Sequence, residues 1–184
     1  QIGLTRAQAL EELIDLLDSA ERAAGNPAQQ VEILEQAVYV DPYSTEAAQA
    51  LAQARADRLQ ERFAAMMSEG YAQLQAGSPQ EAIARFEAAA TLGVNENEAR
   101  AAIAQTETEI TNAKIAELQR RALDSEAREA WQEAVEDYDA IVAIDANLPT
   151  INRALDYAEK RARLDALLIA ALDTPERFAE QAVF

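Results

Sequence analysis

Apolar residues of this chain recur three times at one spacing, and that spacing limits the folds open to it. Shifting the segment from Gly25 to Pro42 by 52 residues, and by 52 again, superimposes Val31, Ile83 and Val135, and likewise Leu34, Phe86 and Tyr138. Ala37, Ala89 and Ile141 fall together, as do Val40, Leu92 and Ile144. The next stretch keeps step through Ala47, Ala99 and Ile151, then Leu51, Ile103 and Leu155, then Phe63, Ile115 and Leu167. Ile14, Met66 and Leu118 extend the register backwards. A fixed period of this length marks an array of supersecondary units, none of which buries its apolar face alone.

The unit is helical. The 184 residues include 43 Ala against 5 Gly and 5 Pro, and Ala is the best helix former while Gly and Pro are the worst. Gly25-Asn26-Pro27 and Gly77-Ser78-Pro79 each supply a glycine to end one helix left-handed, a polar cap, and a proline for the next first turn. Arg128-Glu129-Ala130-Trp131 stands at the same point of the third copy without those signals, and a break is expected there too. Asp41-Pro42-Tyr43-Ser44 and Asp145 to Pro149 read as loops, and Asn95 with Glu98 as a capping pair. Eight helices follow: about 5–24, 28–40, 45–76, 80–92, 96–128, 131–144, 148–173 and a short 175–183. Within 45–76, Leu51, Leu59, Phe63, Met66, Gly70 and Leu74 are expected to form one stripe.

These residues resemble a degenerate tetratricopeptide (TPR) repeat. Gly25 and Gly77 match the turn glycine, Gly70 the small residue of the first helix, Ala82 and Ala134 the first alanine of the second helix, and Leu34, Phe86 and Tyr138 its aromatic position. Ala37 and Ala89 match the second alanine, and Pro42 the terminal proline. Gln30, Ile141, Val94 and Ala146 depart from the pattern. The period exceeds the family's 34 residues by 18, which is five turns at 3.6 residues per turn. Long helices of about 45–50 Å, each fusing an inter-repeat segment to the next first helix, would absorb the difference and keep the stripe aligned.

The resemblance implies an all-α solenoid of alternating long and short helices in one domain. Repeats at about 1–42, 43–94 and 95–146 precede capping helices in 147–184, where Leu155, Leu164, Leu167, Leu168 and Leu172 close the end. Phe178, Val183 and Phe184 either fold back or stay exposed. A spectrin-like or coiled-coil bundle is the alternative. The family's groove positions fall on Asp15 and Ser19 in the first copy, Met67, Tyr71 and Leu74 in the second, and Gln119, Leu123 and Glu126 in the third. Met66 belongs to the stripe in this register and Met67 points away, towards the groove. Relatives that capture C-terminal carboxylates use Lys, Arg and Asn. The corresponding positions here are Asp15, Ser19, Ser68, Ala116 and Arg120, of which only Arg120 fits.

Chemistry is narrowed by absence. With no His and no Cys, the Ser-His-Asp, HExxH, thiolate and Glu-x-x-His di-iron arrangements cannot be built. The five glycines are isolated, so no phosphate loop occurs. Asp137 and Asp139 are two apart on a helix and point to different sides, which disfavours a cation site. Trp131 is expected in the core. No catalytic residue, cofactor or metal is expected. A net charge of −17 opposes nucleic acid and anionic membranes as partners. The most apolar run, Ala166–Leu172, is far shorter than the ~20 residues of a membrane span. The sequence thus points to a non-catalytic scaffold that binds a protein or peptide. Its layout is similar to the soluble part of a larger bacterial protein, periplasmic or cytoplasmic, with or without an anchor in a preceding segment. Self-association through long acidic helices is the alternative function.

Overall fold

The computed structural model describes residues 2–173 and is helical throughout, with no strand among them. The seven helices are α1 (Ile2–Arg22), α2 (Pro27–Val40), α3 (Thr45–Gln75), α4 (Pro79–Ala90), α5 (Glu96–Ala127), α6 (Trp131–Ile144) and α7 (Pro149–Asp173). Long helices alternate with short ones: α3 has 31 residues and α5 has 32. The helix expected at 175–183, with Phe178, Val183 and Phe184, lies outside the described residues. No described helix is long and apolar enough to cross a membrane.

The chain divides into two compact units, residues 1–106 and 107–184, so that α5 contributes its first turns to one and the rest to the other. In the first unit α1 packs on α2, α2 on α3, and α3 on α4. One core joins Ala20, Val31, Leu34, Leu51 and Ala54, and an adjoining cluster joins Leu13, Ala37 and Ala47. A further core joins Phe63, Met67, Ala82, Phe86 and Ala89 to Ala99 and Ala102 at the start of α5. In the second unit Leu118, Ala122, Ala134, Tyr138, Ile141, Ile151 and Ala158 form a core.

The 52-residue register is a register of burial. Leu34, Phe86 and Tyr138 are 1%, 0% and 2% exposed. Ala37, Ala89 and Ile141 are buried, as are Ala47, Ala99 and Ile151. A set that hydrophobicity does not mark, Ala54, Thr106 and Ala158, is buried too; the Thr106 hydroxyl donates to the Ala102 carbonyl at 2.8 Å.

Two expectations fail for a geometric reason. The apolar positions of α3 do not form one stripe. Ala47, Leu51 and Ala54 pack with α2, whereas Phe63, Met67 and Gly70 pack with α4. From Ala54 to Phe63 is nine residues, about 900° at 100° each, so the buried face crosses to the opposite side of the helix. A helix shared between a preceding and a following short helix needs two faces. Met67, and not Met66, is therefore the core residue, and Met66 is half-buried beside it.

The first copy is also displaced. Ile14 is 51% exposed and its neighbour Leu13 is buried. The small residue opposite the large one on the short helix is Ala20, 14 positions before Leu34, whereas Gly70 and Ala122 each lie 16 before Phe86 and Tyr138. The turns account for the shift. At Gly77 (φ 78°) and Glu129 (φ 59°) the chain makes a Schellman turn: Ser78 N–H donates to the Gln73 carbonyl at 2.9 Å, and Ala130 N–H to that of Ser125 at 2.8 Å. Gly25 is not left-handed. Residues 23–26 make a looser connection, and the Asn26 side chain caps α2 by accepting from Gln29 N–H at 3.2 Å. Ser78 makes no such cap, and Asn95 takes φ 47° while its carbonyl receives Glu98 N–H.

Gly70 is required by packing. A Cβ there would lie 2.3 Å from Cε1 of Phe86. Gly70→Ala gains ~1 kcal/mol of helix propensity but overpacks the α3–α4 crossing, and is expected to lower unfolding free energy by a net ~1–2 kcal/mol in urea titrations. Adding Phe86→Leu, the residue of the first copy, should recover part of the loss. Glu129 occupies the left-handed position without being glycine. Glu129→Gly is expected to raise stability by about 1 kcal/mol, and Gly77→Ala to lower it by about as much, both read from denaturation midpoints.

Candidate functional site

The site begins with the glycine. Because α3 has no side chain at Gly70, Phe86 of α4 reaches the α3 backbone and is fully buried there. Tyr71, the next residue on α3, stands on that ring: the two centroids are 5.1 Å apart at an interplanar angle of 62°. Edge-to-face geometry holds the Tyr71 ring while leaving the residue 47% exposed. It forms one wall of an open cleft of about 530 Å³ in the first unit.

The cleft follows one face of α3. Gln60, Ala64, Met67, Ser68, Tyr71, Ala72 and Gln75 line it, and Glu98 of α5 closes one side. These α3 positions repeat at threes and fours, so they form a continuous strip over four turns. The floor is apolar, from Phe63 and Met67, and the rim carries amides, a hydroxyl and the Glu98 carboxylate. No Lys or Arg lines it. The chemistry is that of a docking surface: an aromatic face, neutral donors and acceptors, and one negative charge.

The expected groove residues separate by role. Tyr71 is an exposed wall of the cleft. Met67 is only 5% exposed and makes its floor, a correction that follows from the two-faced helix. Leu74 is half-buried against the Phe86 core and does not line the cleft. Gln119 and Leu123 belong to the second unit and are exposed there, Leu123 by 52%. In the first copy the two-residue displacement moves the equivalents of Met67 and Tyr71 from Asp15 and Ser19 to Leu17 and Glu21. Ser19 instead donates to the Asp15 carbonyl at 2.7 Å.

In the second unit the same crossing is made with polar chemistry. Ala122 replaces Gly70, Tyr138 replaces Phe86, and Glu126 replaces Leu74. The buried Tyr138 hydroxyl donates to Oε1 of Glu126 at 3.1 Å. Burial first, then the Glu126 charge and hydrogen bond, push the phenol up to about 12. Arg121 and the buried Asp137 pair at 2.8 Å, and the equivalent residues Glu69 and Arg85 pair at 3.4 Å with the charges exchanged. That pairing, 16 residues apart in two copies, was present in the sequence and visible only as charges that exchange sign. Ser125 and Arg128 join Glu133 in a neighbouring network. Trp131 is half-buried against α7, with Tyr157 edge-on at 5.8 Å and the Arg161 guanidinium 4.8 Å from its ring centre. Among the described residues no group of three or more carboxylates is placed to hold a metal ion.

No protein-family model, curated protein or solved structure matches the chain.

Tyr138 sets a pH dependence of known sign. Its folded value is raised, so its neutral form stabilises the fold fully below pH 10, and that contribution is lost as pH rises from 10 to about 12. Absorbance at 295 nm should show a tyrosine ionisation near pH 12, together with loss of helicity. Tyr138→Phe is expected to remove that late component.

Proposed function

We propose that the chain is a non-enzymatic protein-interaction scaffold of TPR-like helical hairpins, and that it binds a segment of another protein along the α3 cleft. The observation that supports this most directly is Tyr71. A large aromatic ring is held half-exposed by the core ring of Phe86 over an apolar floor, an arrangement suited to an interface anchor. Tyr and Trp anchors of this kind dominate binding energy because their orientation is fixed before the partner arrives. Neutral polar groups on the rim and Glu98 favour a partner segment that is apolar with a basic or amide-rich edge. Leu123, exposed at the position equivalent to Tyr71, offers a second, separate contact in the other unit.

The absence of His and Cys, and the engagement of Asp137, Glu126 and Glu133 in structural pairs, favour this reading over an enzyme. The test is affinity capture with the intact chain from extracts of its source, followed by titration of the captured protein. Tyr71→Ala is expected to weaken binding by about 30-fold, ~2 kcal/mol, with unchanged circular dichroism, whereas the exposed Tyr39→Ala should have no effect. Equal binding by the Tyr71→Ala chain would reject the assignment.

A further inference from the structure

Glu35, Glu69, Glu96 and Glu133 each meet an arginine of this chain. Glu98, in the first turn of α5, does not. Its carboxylate closes one side of the α3 cleft with no ion pair or hydrogen bond among the described residues. The same holds for the side chains of Gln60, Ser68, Tyr71 and Gln75 along the α3 wall. The cleft thus gathers acceptor oxygens from a carboxylate, two amides and a hydroxyl, beside an aromatic ring and without a cation. The second unit shows how such a ring is completed. There Trp131 and Tyr157 form an edge-to-face pair at 5.8 Å and 83°, and the Arg161 guanidinium lies 4.8 Å from the Trp131 ring centre. Tyr71 and Phe86 form the same kind of pair at 5.1 Å and 62°, and among the described residues no cation lies on it.

We propose that the α3 cleft is an arginine-recognition site: the guanidinium of an arginine on another protein lies on the Tyr71 ring and pairs with the Glu98 carboxylate. Its neighbours in that segment rest on the apolar floor of Phe63 and Met67. This names the partner residue for the docking function proposed above, and rests on that reading. Arginine fits better than lysine. Its planar group stacks on an aromatic face while its fork of N–H donors reaches a carboxylate and further acceptors, whereas an ammonium is a compact, strongly hydrated charge. An exposed ion pair with Glu98 alone contributes little, so the ring is needed to fix the plane of the cation and add a contribution of similar size. Charge also selects the source of the arginine. Two copies of the chain, each at net −17, repel as they approach. The residues that follow α7 surround Arg177 with Glu176 and Glu180, a net negative segment that suits an acidic rim poorly. An arginine in an apolar or basic segment of a different protein meets neither obstacle.

The probe is the peptide acetyl-Ala-Leu-Arg-Leu-Ala-amide, titrated into the intact isotope-labelled chain and followed through the NMR resonances of Tyr71 and Glu98. Saturable shifts are expected, with a dissociation constant of about 1 mM or below. Citrulline in place of the arginine keeps the shape, loses the charge and should abolish them; lysine should bind about fivefold more weakly. Glu98→Gln and Tyr71→Ala should each weaken the arginine peptide about fivefold, whereas Glu87→Gln, exposed on α4, should not. Shifts that stay linear to about 10 mM peptide, equal binding of the citrulline peptide, or indifference to Glu98→Gln would each overturn the proposal. Without peptide, Tyr71 and Glu98 resonances that move with chain concentration would give the site to a second copy, and ones that move on Arg177→Ala would give it to the chain's own end; either result also overturns it. Failure of the docking function itself reads differently. A captured partner that requires Tyr71 but tolerates Glu98→Gln removes the arginine and keeps the docking, whereas a partner indifferent to Tyr71→Ala removes the docking.

Discussion

The fold depends on one contact, repeated with different residues: a large side chain on a short helix filling the space above a small residue on its long partner. Phe86 over Gly70 is the closest version, because even a methyl group on α3 would overlap the ring. Ala122 with Tyr138 and Ala20 with Leu34 are looser versions of it. Such crossings are sensitive to single carbon atoms, since protein interiors are close-packed and have no room to yield. The crossing fixes how each hairpin closes. In the second copy it also fixes Tyr71, and through Tyr71 the only exposed aromatic wall of the α3 cleft.

The long helices divide their length between two neighbours. Once α3 serves α2 with its first half and α4 with its second, its apolar residues cannot lie on one line, because the neighbours sit on opposite sides. The nine-residue step from Ala54 to Phe63 is the sequence expression of that division. Five whole turns of extra length do preserve a face, as the period suggested. The face they preserve is one of two, and reading Phe63 and Leu51 as a single stripe put Met67 on the wrong side.

Polar substitutions at equivalent positions follow the same logic. The site 16 residues from Arg121 takes Asp137, and the site 16 from Glu69 takes Arg85, so attraction is kept while the signs exchange. Exchanging the signs of two facing charges keeps their attraction, so the copies can drift in this way while the hairpin persists. The turns drift similarly. Glu129 keeps the Schellman hydrogen bonds without glycine, and Gly25 keeps the glycine without the turn. A turn residue is therefore weaker testimony than a buried one.

By itself the sequence determined the helices, most of their ends, and the core positions 34, 86 and 138, since period, composition and proline placement act over a few neighbouring residues. It also determined what chemistry is excluded, because that needs only an inventory of side chains. Tertiary structure alone decided which methionine is buried, which copy is displaced by two residues, and which of the expected groove residues face solvent. Among the described residues Leu164, Leu167 and Leu168 are exposed. The physical reason is common to these cases. Local pattern specifies that a residue seeks burial, but the neighbour that buries it, and the side from which it comes, depend on how distant helices meet.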